Sequence, residues 1–176
     1  LLSFVNIEYQ TKGRPDIFIK SGVLKLSPKQ FDLNNIVLQF GQSDMAIQGV
    51  LNEPLNFITK DQKVSGHLNA SSKLVNMKEW TSDTINSKKR KSTTSQDVPK
   101  FISKLNLDVN ADVNRLYYSD YDIRDIKASG SIQGNTVRII HFSSMINQNQ
   151  INGTGSLKGV YAYVMNDKIL EGDLHI

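Results

Sequence analysis

The chain has 176 residues, 39% of them apolar, no cysteine, and a formal net charge of +4 with a pI near 9.2. That length makes one domain or one piece of a larger one. The missing cysteines exclude disulfides, thiolate metal sites and a cysteine nucleophile, and fit either redox compartment. The positive charge does not mark a nucleic-acid binder. Thr81 to Lys100 holds five basic and two acidic side chains, so three of the four net charges sit there and the remainder is nearly neutral. No apolar run approaches the roughly 18 residues that span a bilayer. Leu1 already opens a strand-like segment and no signal peptide precedes it, so the chain reads as cut from something longer.

In chain order, Leu1 to Gln10 reads as a strand, with Val5, Ile7 and Tyr9 on one face and Leu2 and Phe4 on the other. Thr11 to Pro15 is a turn. Ile17 to Leu26 is a second strand with a break at Ser21-Gly22, and Ser27-Pro28 turns the chain, since proline removes a ladder donor. Phe31 and Leu33, then Ile36, Leu38 and Phe40, form a third strand. Its alternation slips at Asn34-Asn35, as a β-bulge requires. Met45, Ile47, Gly49 and Leu51 form the fourth, ended by Glu53-Pro54. Leu55 to Thr59 suggests a short helical turn, and Val64, Gly66, Leu68 and Ala70 form the fifth strand. Asn76 to Trp80 suggests a second helical turn. From Thr81 to Asp97 the residues are nearly all polar, which is a disordered linker or surface loop by composition.

The cleanest pattern follows. Leu105, Leu107, Val109, Ala111 and Val113 alternate with Asn106, Asp108, Asn110, Asp112 and Asn114. Period-two alternation puts every apolar side chain on one face. Further strands are separated by turn residues at Ser119-Asp120, Gly134-Asn135 and Asn147 to Asn149. Val160 to Met165 and Ile169 to Ile176 make a closing hairpin around Asn166-Asp167. The halves echo one another. Phe31-Asp32-Leu33-Asn34-Asn35-Ile36 matches Tyr121-Asp122-Ile123-Arg124-Asp125-Ile126, slip included, and Ile47-x-Gly49-x-Leu51 resembles Ile151 to Leu157. Repeated strand–bulge–strand units point to an elongated, additive β architecture. The expected organisation is a first β unit over 1–80, a linker over 81–98 and a second β unit over 99–176, together one elongated domain. The expected fold is all-β and mainly antiparallel, either a curved repeated groove or a sandwich, with one or two short helices.

Three segments carry a resemblance: GQSDMAIQGVLNEPL (Gly41 to Leu55), VSGHLNASSKLVNMKEW (Val64 to Trp80), and the stretch from Val98-Pro99 to Met145. The first two resemble a Gly-x-Ser-Asp strand leading to a glycine-containing strand, an Asn-rich turn and a further glycine strand. The third resembles a Val-Pro step after a polar linker that opens a long alternating strand. In this order they are similar to the AsmA family of large bacterial envelope proteins. Asn147 to Gln150 departs from that pattern, where a glycine pair is expected. The resemblance implies a Gram-negative periplasmic body of repeated sheets curved into an apolar, β-taco-like groove, held to the inner membrane by an anchor outside this chain. It also implies a non-enzymatic part in outer-membrane biogenesis, moving phospholipid between the inner and outer membranes.

Catalytic chemistry has no foothold. His67, His141 and His175 are far apart on expected strands, and no Gly-x-Ser-x-Gly elbow, phosphate loop or His-Glu-x-x-His helix occurs. Asp120, Asp122 and Asp125 cluster near a turn, but calcium wants six to eight oxygens and Arg124 stands among them, so Asp122 and Asp125 are expected to stabilise the turn and bulge. No cofactor or metal is expected. The Lys88 to Lys91 run reads as a solvated loop, and Tyr117, Tyr118, Tyr121, Tyr161 and Tyr163 as sheet packing. Asn69-Ala70-Ser71 and Asn152-Gly153-Thr154 match a glycosylation pattern that is common by chance.

The candidate site is the apolar face itself: Leu105, Leu107, Val109, Val113, Ile126 and Ile132, with Met45, Ile47, Leu51, Val64 and Leu68 in the first half. The expected partners are phospholipid or another acyl lipid, and neighbouring repeats of a longer protein. Should two such faces close on one another, the alternative is a structural β-sandwich scaffolding outer-membrane assembly. A carbohydrate-binding sandwich would align exposed aromatics on one face, of which the sequence gives little sign.

Overall fold

The computed structural model describes residues 1–9, 16–55, 62–77, 103–160 and 171–176. The expected turn at Thr11 to Pro15, the linker at Thr81 to Asp97 and the hairpin tip at Asn166-Asp167 lie outside them. So do most of the two expected helical turns and the Lys88 to Lys91 run.

Among the described residues eleven strands form one sheet: β1 (Leu2–Tyr9), β2 (Ile17–Leu26), β3 (Gln30–Phe40), β4 (Ser43–Asn52), β5 (Val64–Ser72), β6 (Val75–Asn76), β7 (Leu105–Tyr118), β8 (Tyr121–Gln133), β9 (Thr136–Ile146), β10 (Asn149–Lys158) and β11 (Glu171–His175). Their spatial order is β1-β2-β3-β4-β5-β7-β8-β9-β10-β11, with β6 also beside β7. The fold is all-β, and no full helix occurs among the described residues. Every substantial strand–strand contact is between neighbours along this sheet or at the short β6 strand beside them. Among the described residues no second layer faces it, so the sandwich expectation is not met there.

Neighbours are antiparallel except along one side of β7, where β5 and the short β6 both run parallel to it. β5 and β7 run parallel, in register without a shift from Val64↔Leu105 to Ser72↔Val113. This junction joins the two halves into one sheet. A parallel pair cannot be made by a tight hairpin, and here the chain leaves β6 beside Leu116 and Tyr117 and re-enters at Leu105, the opposite end of β7.

The exit end of β5 is pinned by the Gly-x-Ser-Asp segment. Asp44 accepts hydrogen bonds from the Lys73 and Leu74 amides (3.0 and 2.8 Å) and from the Ser72 hydroxyl (3.3 Å). Its own amide donates to the Leu74 carbonyl at 3.0 Å. The fully buried Ser43 hydroxyl accepts from the Asn76 amide at 2.8 Å. These bonds satisfy backbone groups that the interruption of the ladder at Lys73-Leu74, between β5 and β6, would otherwise leave unpaired.

The repeat seen in sequence has a backbone cause. Asn35 and Asp125, at the same place in the two copies, both adopt left-handed φ values, 47° and 51°. Asn and Asp tolerate that region better than other non-glycine residues. The β3–β4 register shifts between Leu33 and Ile36, and the β8–β9 register between Arg124 and Lys127. A third slip corrects the sequence reading of β1. Asn6 has φ 53°; Leu2 pairs with Leu24, Ile7 with Ile19 and Tyr9 with Ile17, whereas Val5 lies opposite Ser21. Leu2, Ile7 and Tyr9 therefore share one face and Val5 takes the other. The bulge moves the phase by one residue, which simple alternation cannot anticipate. In place of the expected glycines, Asn147 and Gln148 make the β9–β10 turn with φ 49° and 68°, the sign pattern of a type I′ turn.

Gly130 on β8 marks a close approach: a Cβ there would run into the backbone carbonyl of Arg138 on β9. Such a glycine lets neighbouring backbones draw together where a sheet coils. Gly130→Ala is expected to destabilise the fold by about 1–3 kcal/mol, the usual cost of overpacking. Urea unfolding monitored by far-UV circular dichroism checks this, and an unchanged midpoint would contradict the close approach.

Candidate functional site: the apolar face of the sheet

Directly paired residues share a face, so the registers decide what the apolar side contains. One transverse row runs Phe31–Leu51–Gly66–Leu107–Ile132–Val137–Leu157. The next runs Leu33–Gly49–Leu68–Val109–Gly130–Ile139–Gly155–Leu174. A third contains Ile36, Ile47, Ala70, Ala111, Ala128 and Phe142. Val64 pairs with Leu105, Met45 with Leu38 and Val113 with Ile126. Every sequence candidate therefore falls on one face, and the parallel junction joins its two halves without a break. The face extends beyond those candidates to Phe31, Leu33, Ile36 and Leu38 on one side and to Val137, Ile139, Leu157 and Leu174 on the other. The signal for these was the same alternation, hidden by bulges at Asn35 and in β9, where the register shifts and Ile140 is left 61% exposed.

This is the sheltered face. Phe40, Val64, Leu107 and Ile126 are 5–8% exposed. On β7 the opposite side, Asn106, Asp108, Asn110, Asp112 and Asn114, is exposed throughout. Every strand residue that is buried lies on the apolar side. The remaining apolar positions, such as Val109, Leu68 and Ile132, are only half-buried.

Three buried hydroxyls interrupt the face, those of Ser43, Ser72 and Ser144, and Ser72 donates to Asp44. Ser43 is satisfied as described, but the Ser144 hydroxyl, 1% exposed, has no hydrogen-bond partner. An unpaired buried polar group costs about 1–3 kcal/mol. Ser144→Ala is expected to raise the unfolding midpoint, read by thermal denaturation; a fall of several degrees would show that the hydroxyl is engaged.

The polar face carries a cluster of ion pairs. Asp122 receives a bidentate grip from Arg115 (2.8 and 2.8 Å) and two further bonds from Arg124 (3.1 and 2.7 Å). Arg115 also lies over the Tyr117 ring at 4.7 Å. The hydrogen bonds from Arg115, then those from Arg124, hold the Asp122 carboxyl well below the usual carboxylate range. Asp122 thus ties β7 to β8 beside the Asp125 bulge. His67, His141 and His175 lie apart on the polar side, each exposed. Among the described residues no cluster of histidine and carboxylate groups could hold a metal ion.

No family model, curated protein or solved structure matches the chain. The AsmA resemblance therefore rests on the three sequence segments that carry it.

A carboxylate whose folded pKa is depressed stabilises the fold above its unfolded pKa, and that contribution is lost as pH falls below about 4. Asp122→Asn is expected to flatten the fall in melting temperature below about pH 4 while lowering stability slightly at neutral pH. Melting curves from pH 7 to pH 2.5 check this, and identical slopes for the two proteins would contradict it.

Proposed function

We propose that this chain is a non-enzymatic, lipid-conducting segment of an AsmA-like envelope protein, guiding phospholipid along the apolar sheet face between inner and outer membranes. The observation that carries the reading is the continuous apolar face: rows of Leu, Ile, Val and Phe cross the sheet with no second layer over them among the described residues. A half-buried apolar surface of this kind can shelter acyl chains, since each methylene removed from water contributes about 0.8 kcal/mol. No specific polar contact is needed, and few single residues are decisive. In this reading the periplasm is the compartment, the membrane anchor lies outside this chain, and neighbouring repeats extend the path from the sheet edges.

A second reading, a structural module that scaffolds outer-membrane assembly, draws on a separate observation. Val5, Phe18 and Val37 add apolar surface to the otherwise polar side near β1, and Val5 is 69% exposed. Apolar side chains on both faces of an edge strand suit burial against a protein partner.

Lipid extraction distinguishes the two. Protein purified without detergent is expected to yield phospholipid by mass spectrometry of an organic extract. Val109→Asp, on the apolar face, is expected to abolish occupancy or folding, and Asp108→Val, its neighbour on the polar face, to leave both intact. A folded wild-type protein carrying no lipid favours the scaffold reading.

A further inference from the structure

The polar side of the sheet carries a groove of its own, about 440 Å³, crossing β3, β4, β5, β7, β8 and β9. It is the valley between two transverse rows of side chains. One row is Gln48–Asn69–Asn110–Ser129–His141, each directly paired with the next across neighbouring strands. The other is Ala46–Ser71–Asp112–Lys127, paired in the same way. Rows on one face stand two residues apart, about 7 Å along the strand. The alternation places the side chains of Ile47, Ala70, Ala111 and Ala128 on the opposite face, so those residues contribute peptide backbone to the valley floor.

The walls have four properties that together narrow the ligand. They carry groups that both donate and accept, on Gln48, Asn69, Ser71, Asn110, Ser129 and His141. Among the described residues most of that capacity is unspent: the one side-chain bond along them runs from the Asn110 amide to the Asn69 carbonyl oxygen (2.9 Å), which leaves the Asn69 amide and the Asn110 oxygen without a partner there. Their charge cancels, because Asp112 stands directly opposite Lys127. The two rows hold no Phe, Tyr, Trp or large aliphatic side chain, and their one ring is the His141 imidazole. A polyanion needs a net positive groove, an acyl chain needs apolar walls, and an extended peptide adds to a sheet edge rather than to a mid-sheet valley whose backbone is already paired. A ligand of repeating hydroxyls with no net charge meets all four properties. The polar groups recur at the strand spacing of about 4.8 Å, close to the advance of one sugar along a linear glycan.

We infer that this groove binds a linear, uncharged oligosaccharide laid across the strands, its hydroxyls bonded to Gln48, Asn69, Asn110, Asp112 and Lys127. With no Phe, Tyr or Trp to stack on, binding rests on hydrogen bonds and the affinity is modest. The inference is independent of lipid conduction, which uses the other face.

Maltohexaose, cellohexaose and hexa-N-acetylchitohexaose serve as probes in nuclear magnetic resonance titrations of the isotopically labelled full chain. At least one is expected to bind with a dissociation constant of about 1 mM, shifting the side-chain amides of Asn69 and Asn110 and the backbone of Ser129. Asn110→Ala and Asp112→Ala, both on the solvated face, are expected to weaken that binding about fivefold or more. Asn106→Ala, on the same face of β7 but outside the groove, is expected to leave it unchanged. No saturable shift with any of the three glycans overturns the inference, as does equal binding by the groove variants or shifts centred on Leu68, Val109 and Ile132. Because the lipid face lies on the other side of the sheet, glycan binding is expected whether or not the same sample carries lipid.

Discussion

The structure depends on keeping its strands in phase. A shift of one residue moves every side chain of a strand to the other face, so an extra residue in one strand would place apolar groups in water unless the register absorbs it. Here the slips are met locally. The left-handed Asn6 on β1 faces the irregular stretch of β2 around Ser21, which in turn adjoins β3 just where Asn35 bulges. Across β7 and β8 the register advances three residues on both strands between Val113↔Ile126 and Leu116↔Ile123, beside the left-handed Asp125. The bulges are therefore a band across the sheet, and the apolar rows resume on the same side beyond it.

Keeping phase in a single layer has an energetic consequence. A sandwich covers its apolar faces with each other, whereas here the described residues offer only lateral pairs, each contributing about 0.2–1 kcal/mol. Half-buried Leu, Ile and Val rows stay in contact with whatever lies above the sheet. A soluble protein rarely leaves a large contiguous apolar surface uncovered unless it binds something there. This is why the face, rather than any residue on it, is the candidate site.

The two sides divide the chemistry between them. The apolar side offers surface without direction. The polar side offers directed groups: the Asp122 carboxylate fully engaged by two guanidinium groups, and the amide-lined valley largely unengaged. Asp122 shows how a cluster of acidic residues in sequence turns into structural cross-bracing once Arg115 is brought opposite it by the β7–β8 hairpin. The amides of Gln48, Asn69 and Asn110 come from three strands, and only lateral pairing lines them up.

Much was legible in the chain itself. Alternation from Leu105 to Asn114 specifies a strand with one oily side, because side chains on an extended backbone must point in opposite directions in turn. The paired slips at Asn34-Asn35 and Arg124-Asp125 announced bulges, since those residue types accept the left-handed backbone that a bulge uses. What alternation leaves open is relative placement. That β5 and β7 run parallel, that Leu68 stands beside Val109, that the Gly-x-Ser-Asp segment pins the break after Ser72, and that Val5 faces away from Ile7 were all decided by hydrogen bonds between strands distant in sequence. Local pattern sets which way a side chain points from its own strand; only the ladder between strands sets what it stands next to.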